Sequence, residues 1–345
     1  MLEPRSSEYF EIKVEPDNQD IGKRLDLFLS ITLPQYSRSF IKKTIETNKV
    51  LLNGEVCYKA GYKVHADDLI SFPNLNFEFP SQKLEATEFD LEIILEDDDY
   101  LFINKPIGLT VHPTNPSETN TLVNKILGRY KDLPSKDFLR PGIVHRLDKD
   151  TSGLIVIAKN SKSLWWLSSR FADRKVNKTY ISIGLANNLS KAFLDKEIEL
   201  EGYLSRNPGN RKEFVFNNNE VNKNSRFSKT SFEILDTLKL AEERFLIYSK
   251  VHPHTGRTHQ IRVHQRFLGD PILGDRIYSS RKELAWINNW FEKNNLEKRL
   301  YLHSFSISFE NYDGKLYSVE TQIPQSFNKV IEYAKKADQS KKTKT

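Results

Sequence analysis

The chain has 345 residues, 38% hydrophobic and 28% charged, which suits about two globular domains and excludes a largely disordered chain. Its one cysteine, Cys57, excludes an intrachain disulfide and a cysteine-based metal cluster, and no apolar run approaches the roughly 20 residues that span a bilayer. A net charge of +6 and a pI of about 9.0 point weakly to nucleic acid, because lysine and arginine gain affinity by releasing phosphate counterions.

The N-terminus, "MLEPRSSEYFEIKVEP", is too polar and acidic for a signal or transit peptide, so a cytoplasmic location is expected. Residues 1–18 read as a leader strand. Leu25, Phe28 and Leu29 recur at helical spacing, and Pro34 is expected to end that helix. Ser37 suits the cap of a second helix, with Ile41 and Ile45 inward and Arg38, Lys42 and Lys43 outward. Asn53-Gly54 favours a tight hairpin turn, and "DDLISF" closes a small α/β module over 19–75. Residues 76–89 contain proline and asparagine with weak periodicity and read as a linker.

From residue 90 to 335 strands and turns dominate, with helices interspersed. Asn120 to Tyr130 reads as a helix, as do residues 161–175, capped by Ser161. "KTYISIGLA" and "ERFLIYSKVHP" read as strands, and the polar, asparagine-rich stretch 187–230 as including long loops. "TGRTHQIRVHQRFLG" reads as a turn into a helix, with Thr258 as cap and Gly269 as stop. Pro324 to Lys335 reads as a terminal helix and 336–345 as a basic disordered tail. Strands and helices do not alternate strictly, so the fold class is α+β with a central mixed or antiparallel sheet. No glycine-rich phosphate loop occurs.

The sharpest feature is "HRLDKDTSGLIVIAK", in which a charged run sits directly before a buried strand. Arg146 and Lys149 flank Asp148 and favour its ionised form. A charged turn is the plain reading; a catalytic carboxylate at a strand edge is the sharper one. His145, His259 and His264 lack the spacing of a zinc motif, so no metal site is expected. His145 and His259 are expected to hold loops by hydrogen bonds, and Trp165 and Trp166 to pack in the core.

"HRLDKDTSGLIVIAK" resembles the signature of the RluA family of pseudouridine synthases. "EDDDYLFINKPIGLTVHP", "KTYISIG", "TGRTHQIRVH" with "GDPILGD", and "LHSFSISF" resemble that family's other segments, in its order, over about residues 90–330. "RLDLFLS", "SRSFIKKTIETNKVLLNG" and "ADDLI" resemble the small RNA-binding domain first known from ribosomal protein S-four.

These resemblances imply the pseudouridine synthase catalytic fold behind a small RNA-binding domain. They imply isomerisation of RNA uridines to pseudouridine without a cofactor; a monomer with no membrane partner is the default expectation. Large-subunit (23S) ribosomal RNA is the expected substrate and transfer RNA the alternative. A non-catalytic RNA-binding ribosome-assembly factor is the alternative of another class, and a base-releasing glycosidase a third. Asp148 falls at the family's catalytic aspartate and is the expected nucleophile. Attack on the ribose, assisted elimination and action on the base all stay open. Arg146 matches the residue that displaces the target nucleotide, Tyr180 the one that packs on its base, Arg262 the partner of the carboxylate and Ile261 the apolar wall. Arg38, Lys42, Lys43, Arg206 and Arg211 are expected RNA contacts. Asp270, Ser279 and Ser304 depart from the family pattern, which has histidine, glycine and alanine there.

Overall fold

The computed structural model describes residues 9–33, 36, 38–47, 49–73, 84–114, 118–135, 139–187, 196–241 and 243–342. They form two compact units, one of Met1–Glu88 with His112–Gly142 and one of Phe89–Val111 with Ile143–Thr345. No helix among the described residues is long and apolar enough to cross a membrane.

The first unit runs β1 (Tyr9–Lys13), α1 (Leu25–Thr32), α2 (Arg38–Glu46), β2 (Val50–Leu52), β3 (Glu55–Cys57) and β4 (Leu69–Pro73), with strand order β1-β4-β2-β3. Leu25, Phe28, Leu29, Ile41 and Ile45 are buried together against Val50, Ile70 and Phe72, which is why both short helices hold. Asn53 and Gly54 both take positive φ, 53° and 84°, the requirement of a two-residue hairpin turn. Pro34, Ser37 and residues 76–83 of the expected linker lie outside the described residues.

The second unit runs β5 (Glu92–Glu96) and β6 (Tyr100–Lys105). After α3 (Leu122–Arg129), which belongs to the first unit, it resumes with β7 (Ser152–Ala158), α4 (Ser161–Ala172), β8 (Asn177–Ala186), β9 (Glu197–Arg206) and β10 (Phe214–Asn217). It ends with β11 (Arg226–Ala241), β12 (Arg244–Pro253), α5 (Gln260–Leu268), α6 (Arg281–Lys293), β13 (Leu302–Glu310), β14 (Leu316–Glu320) and α7 (Gln325–Lys342). The sheet order is β10-β9-β11-β12-β8-β13-β7-β6-β5, with β14 on β13. β13 and β7 run parallel and the other pairs antiparallel, so the sheet is mixed.

Several expectations change. Residues 187–230 include loops at 207–213 and 218–225, but they also hold β9, β10 and the start of β11. Ile198 and Leu200 alternate there with Glu197, Glu199 and Glu201, a period of two that the surrounding asparagines obscure. Residues 112–142 group with the first unit instead of the larger domain. The Thr87 N–H donates to the Asn124 carbonyl (3.0 Å), and Asn124 Nδ2 donates to the Glu85 carbonyl (2.7 Å). The expected disordered tail, 336–345, is helical as far as Lys342. No glycine or proline follows Pro324 within α7, and its polar end continues a helix anchored by buried Phe327, Val330 and Ala334. Asn160, not Ser161, caps α4, accepting from the Ser163 N–H at 2.9 Å. Trp165 lies on the outer face of that helix, 43% exposed, while Trp166 donates Nε1–H to the Glu310 carbonyl.

Candidate active site

β7 is buried along its whole length, and the charged run that precedes it is fixed from both ends. Downstream, Gly153 has φ +110°, and a Cβ added there would lie 2.2 Å from the Ser304 carbonyl oxygen. Only glycine allows β7 to lie this close to β13. Upstream, the Lys149 carbonyl accepts from the Gly108 N–H (2.9 Å) and from Lys105 Nζ (3.2 Å). Lys105 is fully buried and also donates to the Pro106 and Leu109 carbonyls. Burial pulls its pKa down to about 7, against the pull of Asp148 and Asp150. The exposed side chains of Lys149 and Asp150 thus stand on a tightly held backbone.

Asp148 lines a cavity of about 560 Å³ with Arg146, Lys178, Tyr180, Arg257, His259, Ile261 and Arg262 among its walls. Its carboxylate is 20% exposed. Oδ2 accepts from Arg262 Nη1 at 3.1 Å, and His259 Nε2 stands 3.8 Å from it. Oδ1 has no protein partner among the described residues, so its lone pairs are available to a substrate. The structure therefore brings Asp148, Arg146, Tyr180, Arg262 and Ile261 to one cavity, from β8, α5 and the loop before β7.

Arg262 is forked between two carboxylates. Nε and Nη2 donate to Asp275 at 2.7 and 2.9 Å while Nη1 reaches Asp148. Burial works against its charge, but Asp275 and Asp148 outweigh it and hold the guanidinium above its ordinary range. Asp275 has no exposed surface and also accepts the Ile277 and Tyr278 N–H groups. It was not singled out in the sequence, although the second "GD" of "GDPILGD" marks its place.

His259 enters α5 in the left-handed region, φ 56°, and takes the cap position expected of Thr258. Its Nδ1 is 2.9 Å from Tyr278 Oη, which itself accepts the Phe214 N–H. With Nδ1 accepting the Tyr278 proton, Nε2–H faces Asp148. Burial lowers the His259 pKa, against Asp148, which raises it. His145, neutral with its pKa pushed down to about 3 by burial, accepts the Val156 N–H and stacks on Phe171.

Tyr180 sits across from Ser304 in the β8–β13 ladder. Burial pushes its hydroxyl up to about 12; the Ser304 hydroxyl opposes this and Asp148 adds to it. The ring offers a stacking face and a proton-bearing donor. As a base it would work against that shift.

The expected RNA contacts are placed differently. Arg38 is ion-paired to Asp26 (2.9 Å) and Lys42 to Glu46 (3.5 Å), both with exposed side chains. Lys43 is exposed on the same helix. Arg206 and Arg211 are exposed together, Arg206 Nη1 donating to the Arg211 carbonyl. Neither lines the cavity. Among the described residues no group of three or more His, Cys, Asp or Glu side chains converges as a ligand set for a metal.

Of the three departures, Ser304 donates to the Leu154 carbonyl and Ser279 is buried. Asp270 is buried against Gly184 and accepts from Gln265 Nε2 at 3.0 Å. Burial raises its pKa well above the usual carboxylate value, against the Gln265 hydrogen bond. A carboxyl with a raised native pKa favours the fold most below the unfolded value of about 4. That contribution fades as pH rises, because the unfolded chain releases a proton that the native state retains. Asp270→Asn should therefore gain stability over wild type as pH is raised from about 5 to about 8 in urea melts. Parallel melting curves for the two proteins across that range would contradict it.

Residues 99–266 match the family model described as RNA pseudouridylate synthase, and residues 23–70 match the S4 domain. The chain is 38% identical over 275 residues to an uncharacterised RNA pseudouridine synthase of Aquifex aeolicus, covering 79% of this chain and 80% of that one. It is 34% identical over 322 residues to the ribosomal large subunit pseudouridine synthase D of Buchnera aphidicola, covering 91% and 95%. In fold it is similar to the solved structure of human RNA pseudouridylate synthase domain containing 1. That match has a TM-score of 0.53 and 22% identity over 71% of this chain and 86% of that one.

Proposed function

This chain belongs to the family of RNA pseudouridine synthases, and from that premise we propose that its substrate is large-subunit ribosomal RNA, with Asp148 as cofactor-free nucleophile. The reaction breaks the bond from uracil N1 to ribose C1′ and forms one from C5 to C1′. The C5 proton leaves and N1 gains one, so atoms balance with no redox step. Uracil must stay bound while detached, which calls for a cavity that holds it and limits water.

The observation that carries this reading is the state of the Asp148 carboxylate. One oxygen is held by Arg262 and the other has no partner among the described residues, beside the Tyr180 ring. Asp148 is the only carboxylate among the described residues lining the cavity. A glycosidase releasing the base would need a second, as acid. Arg146, exposed on the rim, is placed to fill the gap left by a flipped nucleotide, and Ile261 closes the apolar wall. Residues 19–75 serve as an RNA-binding module for the unit that carries the Asp148 cavity, with Arg38, Lys42 and Lys43 on exposed positions of α2. The name of the Buchnera relative favours large-subunit RNA.

The test is incubation with large-subunit ribosomal RNA, and separately transfer RNA, tritiated at uracil C5. Tritium should reach water from the ribosomal RNA with no free uracil formed. Release from transfer RNA alone would overturn the substrate, and free uracil would overturn the reaction.

A further inference from the structure

The cavity around Asp148 does not end at its own walls. A second cavity of about 350 Å³ continues from it, sharing Arg174, Val176, Lys178 and residues 253–255. No carboxylate lines this extension among the described residues. We propose that Lys178, Arg174 and Arg257 form a phosphate-binding track that carries the RNA strand flanking the target uridine out of the pocket. The inference rests on the reading of that pocket as the uridine site.

Lys178 and Tyr180 alternate on β8 and face the same cavity, so their backbones lie roughly 7 Å apart. A base held on the Tyr180 ring places its backbone within reach of Lys178 Nζ. Lys178 has no hydrogen-bond or ion-pair partner among the described residues. Its stem packs near the Phe171 ring, 5.9 Å from the ammonium, and burial lowers its pKa to about 8. A half-buried cation without a counterion is costly unless a ligand supplies the negative charge.

Arg257 shows a similar imbalance, and Arg174 stands beside it on the surface. Arg257 is held by its Nε–H on the Phe227 carbonyl, which leaves its terminal nitrogens for a ligand. Burial lowers its pKa first, and repulsion from Arg174 and Arg226 adds to the shift. Arg174 takes φ 60°, a backbone state that glycine usually fills, on the rim shared by both cavities. Lys229 also lines the extension but is neutralised by Glu199 and Glu201, so it stands apart from the track. Phosphodiesters answer this charge with the right sign and spacing tolerance, and bind arginine by its planar fork.

The experiment measures RNA binding by the full chain as a function of salt, using a fragment of large-subunit RNA that contains the mapped target. Each phosphate contact removed should lower the slope of log affinity against log salt by about 0.7. Lys178→Met should weaken binding by about fivefold to tenfold and reduce the slope by that amount, and Lys178→Arg should restore both. Arg257→Gln should act in the same direction. A neutral methylphosphonate is then placed at one flanking phosphate at a time. At one position it should weaken wild type but not weaken Lys178→Met further. An unchanged slope in Lys178→Met, or additive losses at every position, would overturn the track. Wild-type tritium release, run alongside, separates the two readings: no release sinks the functional assignment, whereas release with an unchanged slope sinks only the track.

Discussion

Asp148→Asn is expected to lower turnover on the order of 10⁴-fold while RNA affinity stays within about a factor of three. Asparagine keeps the shape and can still accept from Arg262 Nη1, so the cavity walls should not move. What it loses is the charge and the nucleophilic oxygen. Arg262 does not become an unpaired buried cation, because Asp275 holds its other two donors. The expected stability change is therefore small, below about 1 kcal/mol, and the loss of activity is chemical. Single-turnover tritium release and filter binding measure the two quantities separately. Turnover within tenfold of wild type would remove Asp148 from the chemistry. Equal losses in binding and turnover would make it a binding residue instead.

Asp275→Ala should be the most damaging single change to stability. It strips a buried guanidinium of its bidentate partner and leaves the Ile277 and Tyr278 N–H groups without an acceptor. Breaking a buried pair by removing one partner costs about 3–5 kcal/mol. In a unit of this size that corresponds to a fall in Tm of roughly 10 °C. The damage should come from the half-compensated charge of Arg262, left with Asp148 alone, more than from lost attraction. Adding Arg262→Met to Asp275→Ala should accordingly recover part of the stability and none of the activity. If the double variant melts no higher than Asp275→Ala, the buried charge is not the cause. Asp275 acts on the reaction only through Arg262, so Asp275→Asn should lower kcat far more than it raises KM.

Much of this molecule is legible in short stretches. The helical spacing of Leu25, Phe28 and Leu29, the Asn53-Gly54 turn and the all-apolar strand after Gly153 each rest on local periodicity or a local backbone requirement. Asp148, Arg146 and Gly153 also lie within eight residues, so their association survives any uncertainty about topology. The misreadings have local causes too. β9 is obscured by the asparagines around its alternating pattern, and the end of α7 by a composition that suits both a tail and a solvated helix.

The sequence by itself determined the fold class, the charged run before β7 and the residue types around it. The tertiary structure decided how those residues are held. Arg262 reaches Asp148 across 114 positions, and Lys105 reaches the Lys149 carbonyl across 44. Placing β8 and β7 on either side of β13 sets Ser304 between Tyr180 and Gly153. The physical reason is one of range. Periodicity, caps and turn residues act over a few positions, whereas ion pairing and desolvation depend on what the sheet order brings within a few ångströms. Lysine and aspartate read alike wherever they occur in a sequence. Only their surroundings make Lys105 a structural tie, Asp275 an anchor and Lys178 a cation without a counterion among the described residues.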